Sequence, residues 1–447
     1  MQILAGPRNA PSILLARVGR YDPDGPPAEA EQSGAWAAWR QVGTTASPQQ
    51  VLRQVADAGL RGRGGAGHPA ADKWRAAVDT PAGQRYLVAN GFEADPGAQL
   101  DRTLLERDPH LVLEGVAIAA YAIGANRAFV CVKAAAETAI RRLRAAIAAA
   151  EDAGYLGPDA LGAGFDLDVE VVGLPGGFVV GEETVLLRAL ENKRAQPDQR
   201  PPYPSRDGLW GRPTVVNNVE TLAALPWIVA NGAAAYADIG DRAMPGTTLV
   251  QLTGAIARPG IVEVPTGVPI GRIISRLGGG PRAGSQLKAL LVGGPTGGFL
   301  PLGGNDVPYT AAALESAGAI LGSGTIVALD ERVCLFEMAT LLGRFLSDES
   351  CGKTIPCRIG VRRLYEIGQR ATEGLARPTD PQLLLDLAAD VRDGGLCGLE
   401  RLAPNPFLSG MRYFAEEFED HFVRRTCPAG VCAQLSAQPA MSVQPAL

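Results

Sequence analysis

The first patterned block of the chain contains Gly59-Leu-Arg-Gly-Arg-Gly-Gly-Ala-Gly-His-Pro-Ala-Ala-Asp-Lys-Trp74. Its glycines allow positive φ angles and let a bound group approach the backbone closely. Three cations lie beside these exposed N–H groups, and this combination suits an anion such as a nucleotide phosphate. The pattern is neither the Walker motif nor the usual dinucleotide fingerprint, so a glycine-rich solvent loop is the alternative. The candidate binding residues of this stretch are Gly62, Arg63, Gly64, Gly65, Gly67 and Lys73.

Length and composition describe a globular chain of several domains. The sequence has 447 residues, of which 46% are apolar and 20% charged, enough for roughly three domains. The net charge of -5 shows no basic excess, so nucleic acid is not an expected partner. Gly, Arg and Pro interrupt every apolar run that could span a bilayer, and the N-terminus lacks a secretory signal pattern. We therefore expect a cytoplasmic protein without a direct membrane span.

Beyond the glycine-rich stretch, apolar segments alternate in the way that strands and helices of a parallel sheet do. We predict strands over residues 85–90, 128–132 and 166–172, and helices over residues 47–58, 111–123 and 134–149. This order indicates an α/β fold in which helices cross over between parallel strands. Ligands of such sheets bind beyond the carboxyl ends of the strands, so the turns that follow them carry the functional candidates.

The turn after the first predicted strand holds an amide and two carboxylates. Asn90, Glu93 and Asp95 either form a solvated acidic turn or line a polar cradle. Such a cradle suits ribose hydroxyls, the nicotinamide amide or the edge of a flavin.

Two later clusters have a similar character. Gly181 precedes Glu182 and Glu183 at the start of a predicted helix, where the helix dipole favours negative charge and capping alone explains them. Asn217 and Asn218 precede an apolar helix. Capping explains this pair as well, and contact with a flavin or a phosphate is the alternative.

The remaining chain divides into segments that differ in composition and in periodicity. Residues 1–45 are rich in Pro, Gly and Ala and predict a loosely packed N-terminal arm, and the α/β domain then covers residues 46–240. A hairpin, a short helix and a returning strand between residues 245 and 328 indicate a small module of ubiquitin-like proportions. Residues 331–425 have a helical period, with Leu335, Met338, Leu342 and Phe345 on one stripe, and predict a helical bundle. Residues 426–447 form a tail.

Three cysteines lie in loops of this helical region. Cys351 and Cys357 join two predicted helices, and Cys397 lies at the end of a third. Loops at one end of a bundle can bring three thiolates together, and thiolates suit zinc or an iron–sulfur cluster better than an oxygen-binding metal. Ordinary buried cysteines are the alternative, because an unmodified thiol packs as a small apolar group.

Taken in order, these segments resemble one known family. The matching motifs are Arg63-Gly-Gly-Ala-Gly67 with Lys73-Trp74, Asn90 with Glu93-Ala-Asp-Pro-Gly97, Gly181-Glu-Glu-Thr184, Gly208-Leu-Trp-Gly-Arg-Pro213 with Asn217-Asn218, and Glu349-Ser-Cys-Gly352. The chain resembles the flavin-bearing NADH-binding subunit of respiratory complex I, the 51-kDa-type or F subunit. Diaphorase subunits of NAD-linked hydrogenases and formate dehydrogenases belong to the same family.

The resemblance implies a Rossmann-like FMN domain, a ubiquitin-like (SLBB-type) β-grasp domain and a C-terminal helical bundle with a [4Fe-4S] cluster. It implies an enzyme in which NADH passes hydride to FMN, so that the flavin is the redox group and no side chain is catalytic. It also implies other electron-transfer subunits as partners, including a thioredoxin-like iron–sulfur subunit, and a position at the inner face of a membrane through them. The implied flavin and phosphate contacts are Gly64, Gly65, Gly67, Lys73, Asn90, Asn217 and Asn218, and Glu93, Asp95, Glu182 and Glu183 shape the nicotinamide side.

Some positions depart from the family pattern. Thr354 stands where the family has the second cluster cysteine, so Cys351, Cys357 and Cys397 cannot complete an all-cysteine cubane. We therefore predict an incomplete or absent cluster, and a structural or relay paralogue with weak NADH oxidation is the alternative function. In the tail, Cys427 and Cys432 resemble the junction before ferredoxin-like extensions of bifurcating relatives, and either a frayed terminus or a partner-bridging metal site would explain them.

Overall fold

The structure is a computed structural model that describes residues 1–303 and 306–437. The chain forms two compact units. The first contains Met1–Gln251, Gly260–Pro269 and Pro308–Ala311, and the second contains the other described residues. Across the described ranges, every helix is too short or too polar to cross a membrane.

The first unit is built on a parallel sheet of four strands. In chain order these are β1 (Tyr86–Gly91), β2 (Arg127–Lys133), β3 (Asp168–Leu174) and β4 (Thr214–Asn218). Their spatial order is β3-β2-β1-β4 and all three pairings are parallel. The predicted parallel α/β sheet is confirmed. The fourth strand was not predicted, because it has only five residues and ends in two polar amides.

Eleven named helices accompany this sheet in the described part of the chain. They are α1 (Pro27–Gln32), α2 (Ala37–Thr45), α3 (Pro48–Asp57), α4 (Ala70–Asp79), α5 (Leu100–Arg107), α6 (Pro109–Ile123), α7 (Glu137–Asp152), α8 (Glu183–Leu190), α9 (Val219–Ala223), α10 (Leu225–Asn231) and α11 (Ala233–Ala237). The predicted helices over residues 47–58, 111–123 and 134–149 correspond to α3, α6 and α7. The start of α3 is fixed by a capping box, in which Ser47 and Gln50 satisfy each other's backbone N–H groups.

The first 45 residues are firmly packed, so the expectation of a loosely packed arm is wrong. Trp36 and Trp39 are fully buried, and the indole of Trp39 donates to the carbonyl of Tyr155 at 2.9 Å. The carboxylate of Glu263 accepts the backbone N–H groups of residues 13–15. These anchors are spaced without a helical or strand period, which is why the sequence pattern did not indicate packing.

A second sheet has five strands in the order β10-β9-β11-β7-β8. They are β7 (Thr247–Gly254), β8 (Gly260–Pro265), β9 (Leu287–Val292), β10 (Gly298–Pro301) and β11 (Thr325–Asp330), and short two-residue strands β5 (Gly240–Asp241) and β6 (Met244–Pro245) precede them. β9 pairs antiparallel with both β10 and β11. The sequence predicted β7, β8 and β9, but not β10 or β11.

Apart from β9, β10 and β11, the second unit is mainly helical. Its helices are α12 (Ile270–Arg272), α13 (Ala311–Ser316, whose first residue belongs to the first unit), α14 (Leu335–Asp348), α15 (Arg362–Thr372), α16 (Asp380–Gly394), α17 (Gly398–Leu402), α18 (Asn405–Tyr413) and α19 (Ala415–Glu419). Three π-helical segments cover Ile273–Leu277, Pro356–Val361 and Asp420–Arg424, and the short strands β12 (Thr426–Cys427) and β13 (Ser436–Ala437) pair in parallel.

The buried face of α14 differs from the predicted stripe. Leu335 is fully buried, but Met338, Leu342 and Phe345 are only half-buried. The fully buried positions are Leu335, Phe336, Ala339, Thr340, Gly343 and Leu346. The stripe therefore lies about one residue further along, because small residues such as Gly343 let neighbouring helices approach, a feature that a count of large apolar residues does not detect.

Candidate functional site

The two asparagine clusters predicted from the sequence meet at one edge of the four-stranded sheet. The chain passes from β1 to β2 and β3 on one side, and β4 lies on the other side of β1, so the strand order reverses between β1 and β4. Asn90 and Asn218 are register partners at the carboxyl ends of these strands. Such a reversal point is where open α/β sheets bind their ligands.

Both asparagines are held in place by local hydrogen bonds. The amide of Asn90 donates to the carbonyl of Gly181 at 3.0 Å, and its oxygen accepts the N–H of Phe92. The amide of Asn218 donates to Asp101 at 2.8 Å, and its oxygen caps α9. The predicted capping role of Asn218 is thus observed, and it coexists with a position at the reversal point.

The glycine loop lies against this edge and is closed at its base. Gly62 N–H donates to the carbonyl of His68 at 2.8 Å, and the guanidinium of Arg61 donates to the carbonyl of Gly67 at 2.9 Å. Gly65 and Gly67 have φ angles of 104° and 61°, which L side chains rarely adopt. A Cβ on Gly64 would lie only 3.3 Å from the Cβ of Asn218. The loop therefore presents bare backbone beside the ends of β1 and β4.

The side chain of Arg63 has a different role from the one predicted. It is buried, and its guanidinium donates to the carbonyls of Arg61, Pro245 and Thr247. These carbonyl groups accept hydrogen bonds from the guanidinium that we expected to face an anion. Arg63 thus fixes the base of the loop through these three carbonyls.

Lys73 places a cation at this edge of the sheet. Its ammonium group lies 2.6 Å from the carboxylate of Glu183 and donates to the carbonyl of Val216 at 2.9 Å. Arg200 bridges the two adjacent glutamates, at 3.1 Å from Glu183 and 2.9 Å from Glu182. Arg200 was not predicted, because a Pro-rich segment separates it from every motif.

Glu182 and Asn217 are engaged by protein donors. Glu182 accepts the backbone N–H groups of Thr184 and Val185, which is the capping role that the sequence offered as the simpler explanation. Asn217 is buried and accepts from the indole of Trp74 at 2.8 Å. It therefore orients α4 against β4.

Carboxylates gather near the reversal point, where Asp101 accepts from Asn218. Glu93 accepts the backbone N–H groups of residues 100–102 at the start of α5. Burial raises the pKa of Glu93 to about 7, and the charge of Asp95 adds to this increase. Burial likewise raises the pKa of Glu220 to about 7, and the pKa of Asp101 is well above its usual range because it is buried close to Glu93. Asp101 and Glu220 were missed, since both lie within helical patterns.

These residues fit a flavin nucleotide. The loop offers glycine N–H groups, Lys73 offers a cation, and Asn90 and Asn218 offer amides around one strand-end crevice. Gly64 lacks the side chain that would fill the space next to Asn218. Bare backbone, a cation and amides together suit a phosphate with a planar polar ring.

The three predicted metal cysteines lie near one another in the second unit. Burial raises the pKa of Cys357 to about 12, and the nearby Glu400, Cys397 and Cys351 add to this increase. Cys357 lies 3.1 Å from the hydroxyl of Ser350.

Thr354, at the fourth family position, is engaged by a buried carboxylate. Its hydroxyl donates to Glu400 at 2.5 Å, and the second oxygen of Glu400 accepts the N–H of Leu396 at 2.8 Å. Glu400 is only 4% exposed. A threonine that donates its proton to a carboxylate offers no thiolate, so these residues do not fit an all-cysteine cubane.

A second group of sulfur ligands lies elsewhere in the same unit. Cys334, His421, Cys427 and Cys432 are all buried, and their ligand atoms lie within 4.8 Å of one another. Of the two explanations offered for Cys427 and Cys432, a frayed terminus does not fit the described part of the tail, because both side chains are buried. Cys334 and His421 were missed, because Cys334 lies far upstream of the tail cysteines and His421 is a single histidine in a helical segment.

Comparison with protein families follows the same division of the chain. The Nuo51 FMN-binding domain matches residues 55–227, and the SLBB domain matches residues 249–300. The iron-sulfur binding region of NADH-ubiquinone oxidoreductase F matches residues 337–421.

Curated relatives match most of the chain. The NADP-reducing hydrogenase subunit HndC of Solidesulfovibrio fructosivorans is 44% identical over 391 residues, which cover 88% of this chain and 80% of that protein. The F 2 subunit of the NADH-quinone oxidoreductase of Rhizobium meliloti is 38% identical over 398 residues, covering 89% and 94%.

A similar solved structure is that of an NAD+-reducing [NiFe]-hydrogenase in the H2-reduced state. It superimposes with a TM-score of 0.78 at 31% identity, over 92% of this chain and 67% of that one. These similarities confirm the resemblance that the motifs indicated. The chain therefore belongs to the family of the 51-kDa, or F, subunit of NADH-quinone oxidoreductase.

Proposed function

We propose that this chain is an NAD(P)H-oxidising, FMN-dependent electron-entry subunit of a multisubunit oxidoreductase. The observation that carries this proposal is the meeting of the glycine loop with Asn90 and Asn218 at the strand reversal point. The family match to an FMN-binding domain and the names of the relatives support it. Those names include both NADP and NADH enzymes, so the proposal covers either nicotinamide nucleotide.

A bound FMN would supply the chemistry of hydride acceptance from the nicotinamide and of single-electron release. The residues of the chain would bind this FMN, orient it and shield it. Backbone N–H groups of Gly64, Gly65 and Gly67 and the ammonium group of Lys73 hold the phosphate and one side of the ring. Asn90 and Asn218 orient the ring from the strand ends, and Asn217 acts through Trp74 by positioning α4.

The nicotinamide side is formed by the acidic residues and the backbone at Gly181. The candidates are Gly181, Glu93, Asp95, Glu182 and Glu183. Glu93 also accepts a backbone N–H group at the start of α5. It therefore positions the wall of the crevice and contributes to the charge of the crevice. The pairing of Lys73 with Glu183 keeps the cation and one carboxylate in a defined position.

We further propose a division into functional domains. Residues 46–240 form the FMN and NADH domain, residues 245–328 a ubiquitin-like, SLBB-type β-grasp domain, and residues 331–425 a helical bundle. The five-stranded sheet and helices α14 to α19 support the latter two assignments. The partners are other electron-transfer subunits, including a thioredoxin-like iron–sulfur subunit. The complex acts in the cytoplasm or at the inner face of the membrane.

One observation favours a second candidate function. Thr354 donates to the buried carboxylate of Glu400 at the place where the family has a cluster cysteine. A chain that had lost its cluster would serve as a structural or relay subunit with weak NADH oxidation. Its flavin electrons would have to leave through a partner that docks close to the flavin.

The test of the first proposal is the flavin content of the purified chain. We expect about one FMN per chain, measured by fluorescence after denaturation, and bleaching of the flavin absorbance when NADH or NADPH is added without oxygen. Gly64→Asp should abolish FMN binding, because it places a side chain and a negative charge next to Asn218. Gly83→Asp makes the same chemical change where a Cβ meets no neighbour, and it should retain FMN. A colourless wild-type chain that takes up no added FMN would favour the second candidate.

A further inference from the structure

We propose that Cys334, His421, Cys427 and Cys432 bind one zinc ion in a closed, tetrahedral structural site. This site is separate from the flavin crevice and from the family's iron–sulfur residues. The region that matches the iron-sulfur family covers residues 337–421, so three of the four ligands lie outside it.

The distances among Cys334, His421 and Cys432 agree with three edges of a tetrahedron around one small ion, and the Sγ atom of Cys427 lies within 4.8 Å of all three. The Sγ atoms of Cys334 and Cys432 are 3.8 Å apart, and they lie 3.2 and 3.5 Å from Nε2 of His421. Zn–S bonds of about 2.3 Å and Zn–N bonds of about 2.0 Å at tetrahedral angles require edges of about 3.8 and 3.5 Å. The sulfur–sulfur distance is far too long for a disulfide, whose S–S bond is about 2.05 Å.

The histidine is oriented to present its ring nitrogen to an ion. Nδ1 of His421 lies 2.7 Å from the carbonyl oxygen of Glu417, which can only accept, so Nδ1 carries the proton. Nε2 then has its lone pair directed at the sulfur atoms. A backbone carbonyl behind the ring is the usual second partner of a zinc-binding histidine. The ring of Phe336 stacks on the imidazole at 4.6 Å and fixes its plane.

Burial favours the binding of one shared ion by these four side chains. All four are buried, so water does not solvate their sulfur and nitrogen atoms. Four protein ligands leave no open position, which is the pattern of structural zinc sites and not of catalytic ones. A set of two or more thiolates with imidazole is also a soft donor set that does not suit magnesium or calcium.

The position of the site indicates what the ion stabilises. Cys334 is the N-cap of α14, and its sulfur accepts the N–H of Glu337. Cys427 lies in β12, which pairs with β13, and Cys432 lies in the connection between these strands. The ion would therefore fasten the start of the tail to the first turn of α14, as a cross-link in place of a disulfide.

Metal analysis of the purified full-length chain tests this proposal. After passage through a chelating column, we expect about one zinc per chain by plasma mass spectrometry. Cys432→Ser should lose this zinc, whereas Cys131→Ala should retain it, since Cys131 is a buried cysteine in β2 of the first unit. Zinc that is absent from the wild type, or unaffected by Cys432→Ser, would overturn the assignment.

A measurement on the wild type alone covers the case in which a variant does not fold. A mercurial thiol reagent should release the zinc in proportion to thiol modification, detected with a coloured zinc chelator. Chain grown with cobalt in place of zinc should show thiolate-to-cobalt charge transfer and the ligand-field bands of a tetrahedral ion. Stoichiometric iron at this site, or octahedral cobalt bands, would contradict the proposal.

Discussion

Two groups of potential metal ligands lie in the second unit, and they differ in burial and in ligand type. Cys334, His421, Cys427 and Cys432 are buried, with all ligand atoms within 4.8 Å. Cys351 and Cys357 are half-buried, and the fourth position near them holds a hydroxyl bonded to a carboxylate. The family motif contains Cys351 and Cys357 of the second group. The first group lies mostly outside that motif, yet it is the one with four sulfur or nitrogen ligands.

The comparison shows that cysteines that are close in the sequence need not be the ones that form a ligand group in space. The Cys351 loop supplies two thiols within seven residues, whereas Cys334 and Cys432 are 98 residues apart and lie 3.8 Å from each other. A ligand set assembled from distant segments ties those segments together, so its loss should unfold more of the chain. A set within one loop constrains mainly that loop.

The largest expected effect separates these two groups by stability. Cys334→Ala should lower the stability of the second unit by about 4 kcal/mol or more, because it removes a ligand from an ion that links α14 to the tail. Cys351→Ala, in a half-buried loop, should cost about 1 kcal/mol or less. Scanning calorimetry of each variant against the wild type measures both. Equal losses would mean that the Cys334 group does not act as a cross-link.

The next prediction concerns iron. The wild type should contain fewer than four irons per chain, since Thr354 donates to Glu400 and offers no thiolate. Thr354→Cys with Glu400→Gly should raise iron and sulfide towards four each, because it adds the thiolate and removes the carboxylate. Thr354→Cys alone should gain less, since a neighbouring carboxylate raises the pKa of a thiol.

Low-temperature EPR on anaerobically purified chain, with iron and sulfide analysis, decides this point. Glu400→Gln is the matched control, because it retains the size of the side chain and adds no ligand. Four irons and a reduced [4Fe-4S] signal in the wild type would show that a group other than Cys351, Cys357 and Cys397 completes the site.

A smaller effect is expected at the flavin crevice, where one cation serves two partners. Lys73→Ala should weaken FMN binding by about 1.5–3 kcal/mol, or roughly tenfold or more in affinity, the usual contribution of a charge-assisted hydrogen bond. Arg75→Ala removes a cation from the exposed face of the same helix and should leave the affinity unchanged. Titration of FMN-free chain measures both. Unchanged affinity in Lys73→Ala would mean that Glu183 retains the lysine as a purely structural partner.

The smallest expected effect is a pH dependence of the first unit. Burial raises the pKa of Glu93 from 4.5 to about 7, so between these values the folded chain binds a proton that the unfolded chain has lost. Stability from this group is therefore greatest at low pH and is lost as pH rises through about 7. The contribution between pH 5.5 and pH 8 is about 2 kcal/mol.

The difference between the wild type and Glu93→Gln isolates this contribution. His110 acts in the opposite direction, because burial lowers its pKa to about 4 and it resists charging at acid pH. Urea denaturation of FMN-free chain, followed by tryptophan fluorescence, reports on the first unit, since all five tryptophans lie in it. The variant should gain less stability than the wild type on acidification, and an identical pH response would contradict the assigned protonation.

The sequence predicted the parallel sheet and several helix boundaries because these depend on local signals. Ser47 with Gln50 sets the start of α3, at the boundary predicted for that helix. Short elements were missed, such as β4, which ends in Asn217 and Asn218 and has too few apolar residues to show a period. The packing of residues 1–45 was also missed, because Trp36 and Trp39 are anchors without a repeat.

The sequence alone determined the family, the α/β order and the chemical character of each candidate cluster, because motifs and periods are properties of neighbouring residues. Only the tertiary structure determined which side chains form hydrogen bonds or other polar contacts, and with which partners. It directed Arg63 into the protein, joined Thr354 to Glu400 across 46 residues, and brought Cys334 to His421 across 87. The physical reason is that hydrogen bonding, burial and metal geometry depend on distances between distant segments, which packing sets and no local pattern encodes.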